Sequence, residues 1–215
     1  MHQSGHNRRR LEKPPTGRDI LTEPSAGIAS AAANWVWLAP SASFDRAVHV
    51  GERGGVLGRA LALQMGRLAE FEASEWRQAL AEGPVDWVVL DLDRLRQVGA
   101  PLGAVLAEAR RALGGGGNLC LVASADASLA GRLRSALGTR AAARAAARAG
   151  FREVRRYFAV PTAHAPRSFV PARRAAAVAF EAAQSAGSAR RDRLRLARLG
   201  LDPALYRGHI CLCTA

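Results

Sequence analysis

Apolar runs of strand length alternate with stretches of helical period through the middle of this chain. The runs 44–51 (FDRAVHVG), 67–74 (RLAEFEAS), 85–92 (VDWVVLDL) and 118–124 (NLCLVAS) read as strands. The segments 55–65, 103–113 and 127–137 carry helical periodicity between and after them. Strand, turn, helix and strand again at this spacing predicts a parallel sheet covered by helices. The run 85–92 is apolar on both faces apart from its ends, as a central strand must be. Next, Arg140, Arg144 and Arg148 form one stripe at i, i+4 and i+8 in an alanine background, and Gly150 stops the helix. A strand over 151–160 ends at Pro161, and 209–215 reads as a last strand. Between these two strands lie a proline-rich turn (161–171), an alanine-rich helix (172–186) and a basic stretch (189–201). The fold class expected is α/β, a doubly wound and mostly parallel sheet with an Arg-rich helical insertion before the last strand.

Charge changes this picture, because of where it sits. Residues 1–126 hold 13 Arg, one Lys and 14 acids and are neutral overall. Residues 127–215 hold 17 Arg against Glu153, Glu181, Asp192 and Asp202, so the whole net charge of +13 lies there. Such asymmetry suits an acidic protein partner or an anionic membrane surface as much as a solvated face. The basic stretch has leucines that gather only loosely on one side of a helix, and no aromatic interleaving. Membrane insertion and nucleic-acid binding are therefore the weaker readings. Three cysteines make no disulfide framework, and Cys211 and Cys213 fall on one face of a strand. Buried free thiols fit a reducing, cytoplasmic setting, free or at the periphery of a membrane or larger complex. The sequence 7-NRRRLEK-13 is followed by 14-PPTGRDILTEPS-25 where an export signal needs an apolar region, so residues 1–25 read as a flexible tail.

The candidate chemistry starts at 51-GERGG-55, a glycine-rich turn between a strand and a helix. With Glu72 about twenty residues on, 86-DWVVLDLDRL-95, 110-RRALGGGGNLCLV-122 and 149-AGFREVRRYFAV-160, the chain resembles the class I S-adenosylmethionine-dependent methyltransferases over roughly residues 44–160 plus a final strand. The resemblance implies a Rossmann-like domain over 26–215, with 161–208 as its insertion. It also implies S-adenosylmethionine as cofactor. Gly51 and Gly55 match the outer glycines of the family's loop, Glu72 the ribose ligand, and Asp91 the cofactor-side end of the fourth strand. Three departures accompany it. Arg53 replaces the middle glycine and either occludes the pocket or swings out to pair with the methionyl carboxylate. Only thirteen residues separate Glu72 from Asp86, which is room for a short helix and no third strand. No catalytic signature follows Asp91.

Single residues carry alternatives. Asp91 and Asp93 form either a metal or acid–base pair, or a helix N-cap plus a partner for Arg94 or Arg96, and the second reading is the commoner one. Glu70 or Glu75 replaces Glu72 as ribose ligand if the register differs. His49 reads as a packed strand residue, and His164 as a surface residue or part of a substrate cleft. Trp35 and Trp37 share a face if their segment is extended, packed under the domain. Two functions follow. One is methyl transfer to a small molecule or carrier-bound substrate, resting on positioning since no base stands out. The other is a pseudoenzyme, a non-catalytic subunit docking through its basic C-terminal part.

Overall fold

The computed structural model describes residues 34–39, 44–164, 166–184 and 188–215; the tail expected over residues 1–25 lies outside them. Seven strands form one sheet: β1 (Arg46–Gly51), β2 (Arg67–Glu72), β3 (Trp87–Asp91), β4 (Asn118–Ser124), β5 (Arg152–Val160), β6 (Ser168–Pro171) and β7 (Gly208–Thr214). Their order is β2-β1-β3-β4-β7-β5-β6. The first four pair in parallel, and β7 runs against both β4 and β5.

Both faces are covered. The helix α1 (Val56–Ala62) packs Leu57, Ala60 and Leu61 on the face that carries Trp87, Val89 and Cys120. On the opposite face, Val88, Leu90 and Leu121 meet α2 (Trp76–Ala81), α3 (Leu92–Gln97), α4 (Leu102–Ala112) and α5 (Leu129–Arg148). Alternate residues of β3 thus enter two different cores, which explains why its sequence is apolar throughout. A third cluster joins β5 and β6 to α6 (Arg174–Ala183) and α7 (Ser188–Arg198) through Phe158, Val170, Ala177, Ala197 and Tyr206. At its centre Glu181 is fully buried. It accepts two hydrogen bonds from the Arg193 guanidinium, both 2.8 Å, and one from the Tyr206 hydroxyl at 2.9 Å.

The structure departs from the sequence pattern in three places. The two helical segments expected over 127–137 and 139–150 are one helix, α5. Gly138 sits inside it, and the flexible end of the Arg96 side chain occupies the space beside it. The proline-rich turn contains β6, paired antiparallel with Tyr157–Val160. Trp35 and Trp37 lie in a 3-10 turn (Asn34–Leu38), not an extended segment. With about three residues per turn, positions two apart diverge. Trp35 is buried against Trp87, whereas Trp37 is 70% exposed. The short span after β2 forms a 3-10 turn (Ala73–Glu75) and α2, so β2 is the edge of the sheet. Among the described residues no helix is long and apolar enough to cross a membrane.

Two histidines are buried in the sheet, His49 and His209, and burial holds both below their ordinary pKa, His209 down to about 4. A depressed folded-state value means the contribution is present above the unfolded pKa and lost on acidification. We predict that the thermal midpoint falls as pH is lowered from about 6.5 towards 4, and that a His209→Gln variant flattens this fall. An equally steep profile in the variant would show that the decline comes from other groups.

Candidate functional site

The carboxyl ends of β1 and β3 are where the chain switches faces. The helix after β1 packs on one face and the helices after β3 on the other. Open α/β sheets bind ligands at such a point. The sequence-predicted loop 51–55 lies here, and its glycines have local reasons. A Cβ on Gly51 would stand 2.7 Å from His49 Nε2 and 3.1 Å from Asp91 Cβ. Gly54 has φ +66°, and a Cβ on Gly55 would be 3.0 Å from the Glu52 carbonyl.

Arg53 does not enter the crevice. Its Nη2 donates to Glu75 Oε2 at 2.7 Å and its Nε to the Glu70 carbonyl at 3.3 Å, which carries the side chain over the end of β2. Its backbone N–H donates to Glu72 Oε1 at 3.2 Å. Glu72 also closes a capping box with Glu75: its carboxylate accepts from the Glu75 backbone, and its own N–H donates to Glu75 Oε2 at 3.0 Å. Asp91 is the N-cap of α3, with Oδ1 accepting from Asp93 N at 2.9 Å and Arg94 N at 3.0 Å. Asp93 pairs with Arg96 at 2.9 Å and accepts from Ser124 N at 2.7 Å, fastening α3 to β4. Burial raises the Asp93 pKa. The aspartate pair is thus a cap and an arginine partner, and among the described residues no cluster of three metal-ligating side chains occurs.

Two hollows flank the loop. One, about 250 Å³, is lined by Gly51, Glu72, Ala73 and Ser74, with Arg94 and Gln97 of α3. The other, about 270 Å³, is lined by His49, Gly55, Val56, Asp91 and His164. Glu52 borders both, and its carboxylate is ion-paired with Arg94. Glu52, and not Arg53, is therefore the loop side chain common to both hollows. His49 Nδ1 lies 3.4 Å from Glu70 Oε1, and its Nε2 has no hydrogen-bond partner. His164 Nδ1 is likewise buried without a partner.

No family model matches this sequence, and no curated protein matches it. Solved structures that are similar in three dimensions include a SAM-dependent methyltransferase from Archaeoglobus fulgidus, 13% identical, with 86% of this chain and 92% of that one covered and a TM-score of 0.48. A SAM-dependent methyltransferase from Thermotoga maritima is 13% identical, with 88% of each chain covered and a TM-score of 0.45. Geranyl diphosphate methyltransferase, solved with GPP and sinefungin, is 14% identical, with 89% and 76% covered and a TM-score of 0.41. Among the described residues the sheet is a mixed, Rossmann-like one, with four parallel strands followed by β7 running antiparallel between β4 and β5 and helices on both faces.

Proposed function

We propose that the chain binds S-adenosylmethionine across the two hollows and transfers its methyl group to a small molecule held beside His164. The observation that carries this reading is the divided crevice at the face-switching point of the sheet. Sites for ligands of this size run from about 300 to 1,000 Å³. Neither hollow reaches that alone, but both are lined by Glu52, whose carboxylate is held by the ion pair with Arg94. Both side chains of that pair are well exposed, and exposed pairs are worth about 0–1 kcal/mol. Opening the crevice is therefore cheap. Glu72 lines one hollow and would be the residue to meet ribose hydroxyls there, although its carboxylate already accepts from the Arg53 and Glu75 backbone. Freed from Glu52, Arg94 is available to an anionic group, and Asp91 lines the hollow that would take an ammonium.

The cofactor supplies an electrophilic methyl group when bound. The protein's part is to orient the acceptor, exclude water and receive a proton. His49 is neutral through burial and holds a bare acceptor nitrogen at the hollow, and His164 lines the same space. We assign proton removal from the acceptor to His164, which lines the same hollow as Gly55 of the glycine loop.

Isothermal titration with S-adenosylmethionine and S-adenosylhomocysteine tests the reading. Wild-type protein should bind with micromolar affinity. Glu52→Ala should bind about threefold more tightly, since up to about 1 kcal/mol of pair opening is removed. Absence of binding in both proteins would falsify the proposal. It would favour a second reading, in which a non-catalytic subunit docks on an acidic protein or anionic membrane surface. The engagement of Glu72 with two backbone N–H groups is the observation on that side.

A further inference from the structure

Among the described residues a cavity larger than either hollow lies outside the crevice. It measures about 500 Å³ and lies on the α5 face between α5, β5, the start of β7 and the 3-10 turn Asp202–Ala204. It shares no lining residue with the two hollows described above. Its walls are apolar: Leu133 and Leu137 come from successive turns of α5, and Leu201 faces in from the turn before β7. All three are exposed large hydrophobics, Leu137 at 65%. Isolated exposed leucines are ordinary, but here they converge on one concavity.

The polar groups of the cavity are one-sided. Arg140, Arg156 and Arg174 line it against a single carboxylate, Asp202. Arg174 donates to the Arg198 carbonyl. Among the described residues, neither Arg140 nor Arg156 forms a salt bridge. Arg156 is half-buried, so its charge acts at the cavity with limited screening.

His209 completes the site. It is 3% exposed, lines the cavity, and packs edge-on against Phe158 at 5.6 Å. One ring nitrogen donates to the Tyr206 backbone carbonyl, which leaves Nε2 as an acceptor, and Nε2 has no hydrogen-bond partner. A buried acceptor without a donor is costly, and a ligand hydroxyl would satisfy it. The sheet register places the histidine beside the arginine. His209 pairs with Phe158, and Arg156 is two residues back along β5 on the same face. Diagonal neighbours of this kind are about 7–8 Å apart at Cα, within reach of one small head group.

We propose that this cavity binds a medium-chain β-hydroxy carboxylate, its carboxylate on Arg156 and Arg140, its hydroxyl donating to His209 Nε2 and its chain along Leu133, Leu137 and Leu201. A carboxylate and a hydroxyl two carbons apart match the juxtaposed guanidinium and imidazole. The alkyl chain matches the leucine wall, which a compact inorganic anion would leave uncovered.

The test is titration calorimetry with β-hydroxydecanoate, decanoate and decanol as probes. Saturable binding of β-hydroxydecanoate is expected, with decanoate about tenfold weaker for want of the hydroxyl and decanol weaker still. Arg156→Gln and Leu137→Asp are expected to weaken β-hydroxydecanoate about tenfold or more, each at an unchanged unfolding midpoint because both sites are accessible to solvent. Decanol binding as tightly as the acids would overturn the proposal, showing a merely greasy surface. So would affinity unmoved in folded Arg156→Gln and Leu137→Asp proteins, or no heat with any probe.

Discussion

Gly208→Ala is expected to destabilise the protein by about 3 kcal/mol and to lower its thermal midpoint by about 10 °C. A Cβ at this position would lie 2.7 Å from the Thr162 carbonyl carbon and 2.8 Å from the Ala159 carbonyl oxygen, and closer still to Ala163 N. All three are backbone atoms, so no rotamer change relieves the contact. The Thr162–Ala163 turn must lift off the start of β7. That turn also carries His164 to the crevice, so under the proposed function the variant should weaken S-adenosylmethionine binding as well as stability. Urea unfolding and titration of the surviving folded protein measure the two effects. A wild-type midpoint would mean that β7 and the turn are not held as described. At Gly58, by contrast, a Cβ would meet only the flexible end of Glu70. Gly58→Ala should therefore be much milder.

The second large effect concerns the buried carboxylate of the insertion. Glu181 is fully buried, while Arg193 is partly exposed. Arg193→Met takes a two-pronged donor away from a carboxylate that water cannot reach. Removing one partner of a buried pair costs about 3–5 kcal/mol, and the partial exposure of the guanidinium puts this case near 3. Tyr206→Phe removes a single hydrogen bond and should cost about 1 kcal/mol. Burial first, and then Glu181, push the Tyr206 phenol well above its ordinary pKa. Stability from this group is therefore present below about pH 10 and is lost as pH rises beyond that point. Chemical denaturation of the two variants at neutral pH gives the ranking, and a smaller loss for Arg193→Met than for Tyr206→Phe would refute the assigned role of the ion pair.

Much of this architecture was legible from local pattern. The strands of the parallel half announce themselves because each is buried on one or both faces, and the thirteen-residue gap after Glu72 correctly left room for a helix instead of a third strand. The misses share a cause, which is that long-range partners decided them. β6 is four residues long and ends on Pro171, so it carries no alternation and exists through its pairing with β5. Gly138 looks like a helix break, yet the helix runs through it with the end of the Arg96 side chain packed alongside. The direction of Arg53 is set by Glu75 and the Glu70 carbonyl, and the partner of Glu52 lies 42 residues away. Glu181 did leave a trace, since it is an acid one helical turn from Ala177 on the buried face of α6. Only the fold shows that Arg193 and Tyr206, 12 and 25 residues away, answer it.

The strand order also gives the charge asymmetry of the sequence a direction in space. The segment 34–126, with nine Arg against eleven acids, contributes β1 to β4, and the segment bearing +13 contributes β5, β6, β7 and helices α5 to α7 at the other end of the sheet. The molecule is in effect an electric dipole laid along the sheet. In low salt it should turn in the field of any polyanion and arrive with the β5–β6 end leading and the crevice at the Gly51–Gly55 loop trailing, free of the contact surface. Encounter would thus be pre-oriented, and the orientation should fade as the Debye length shrinks.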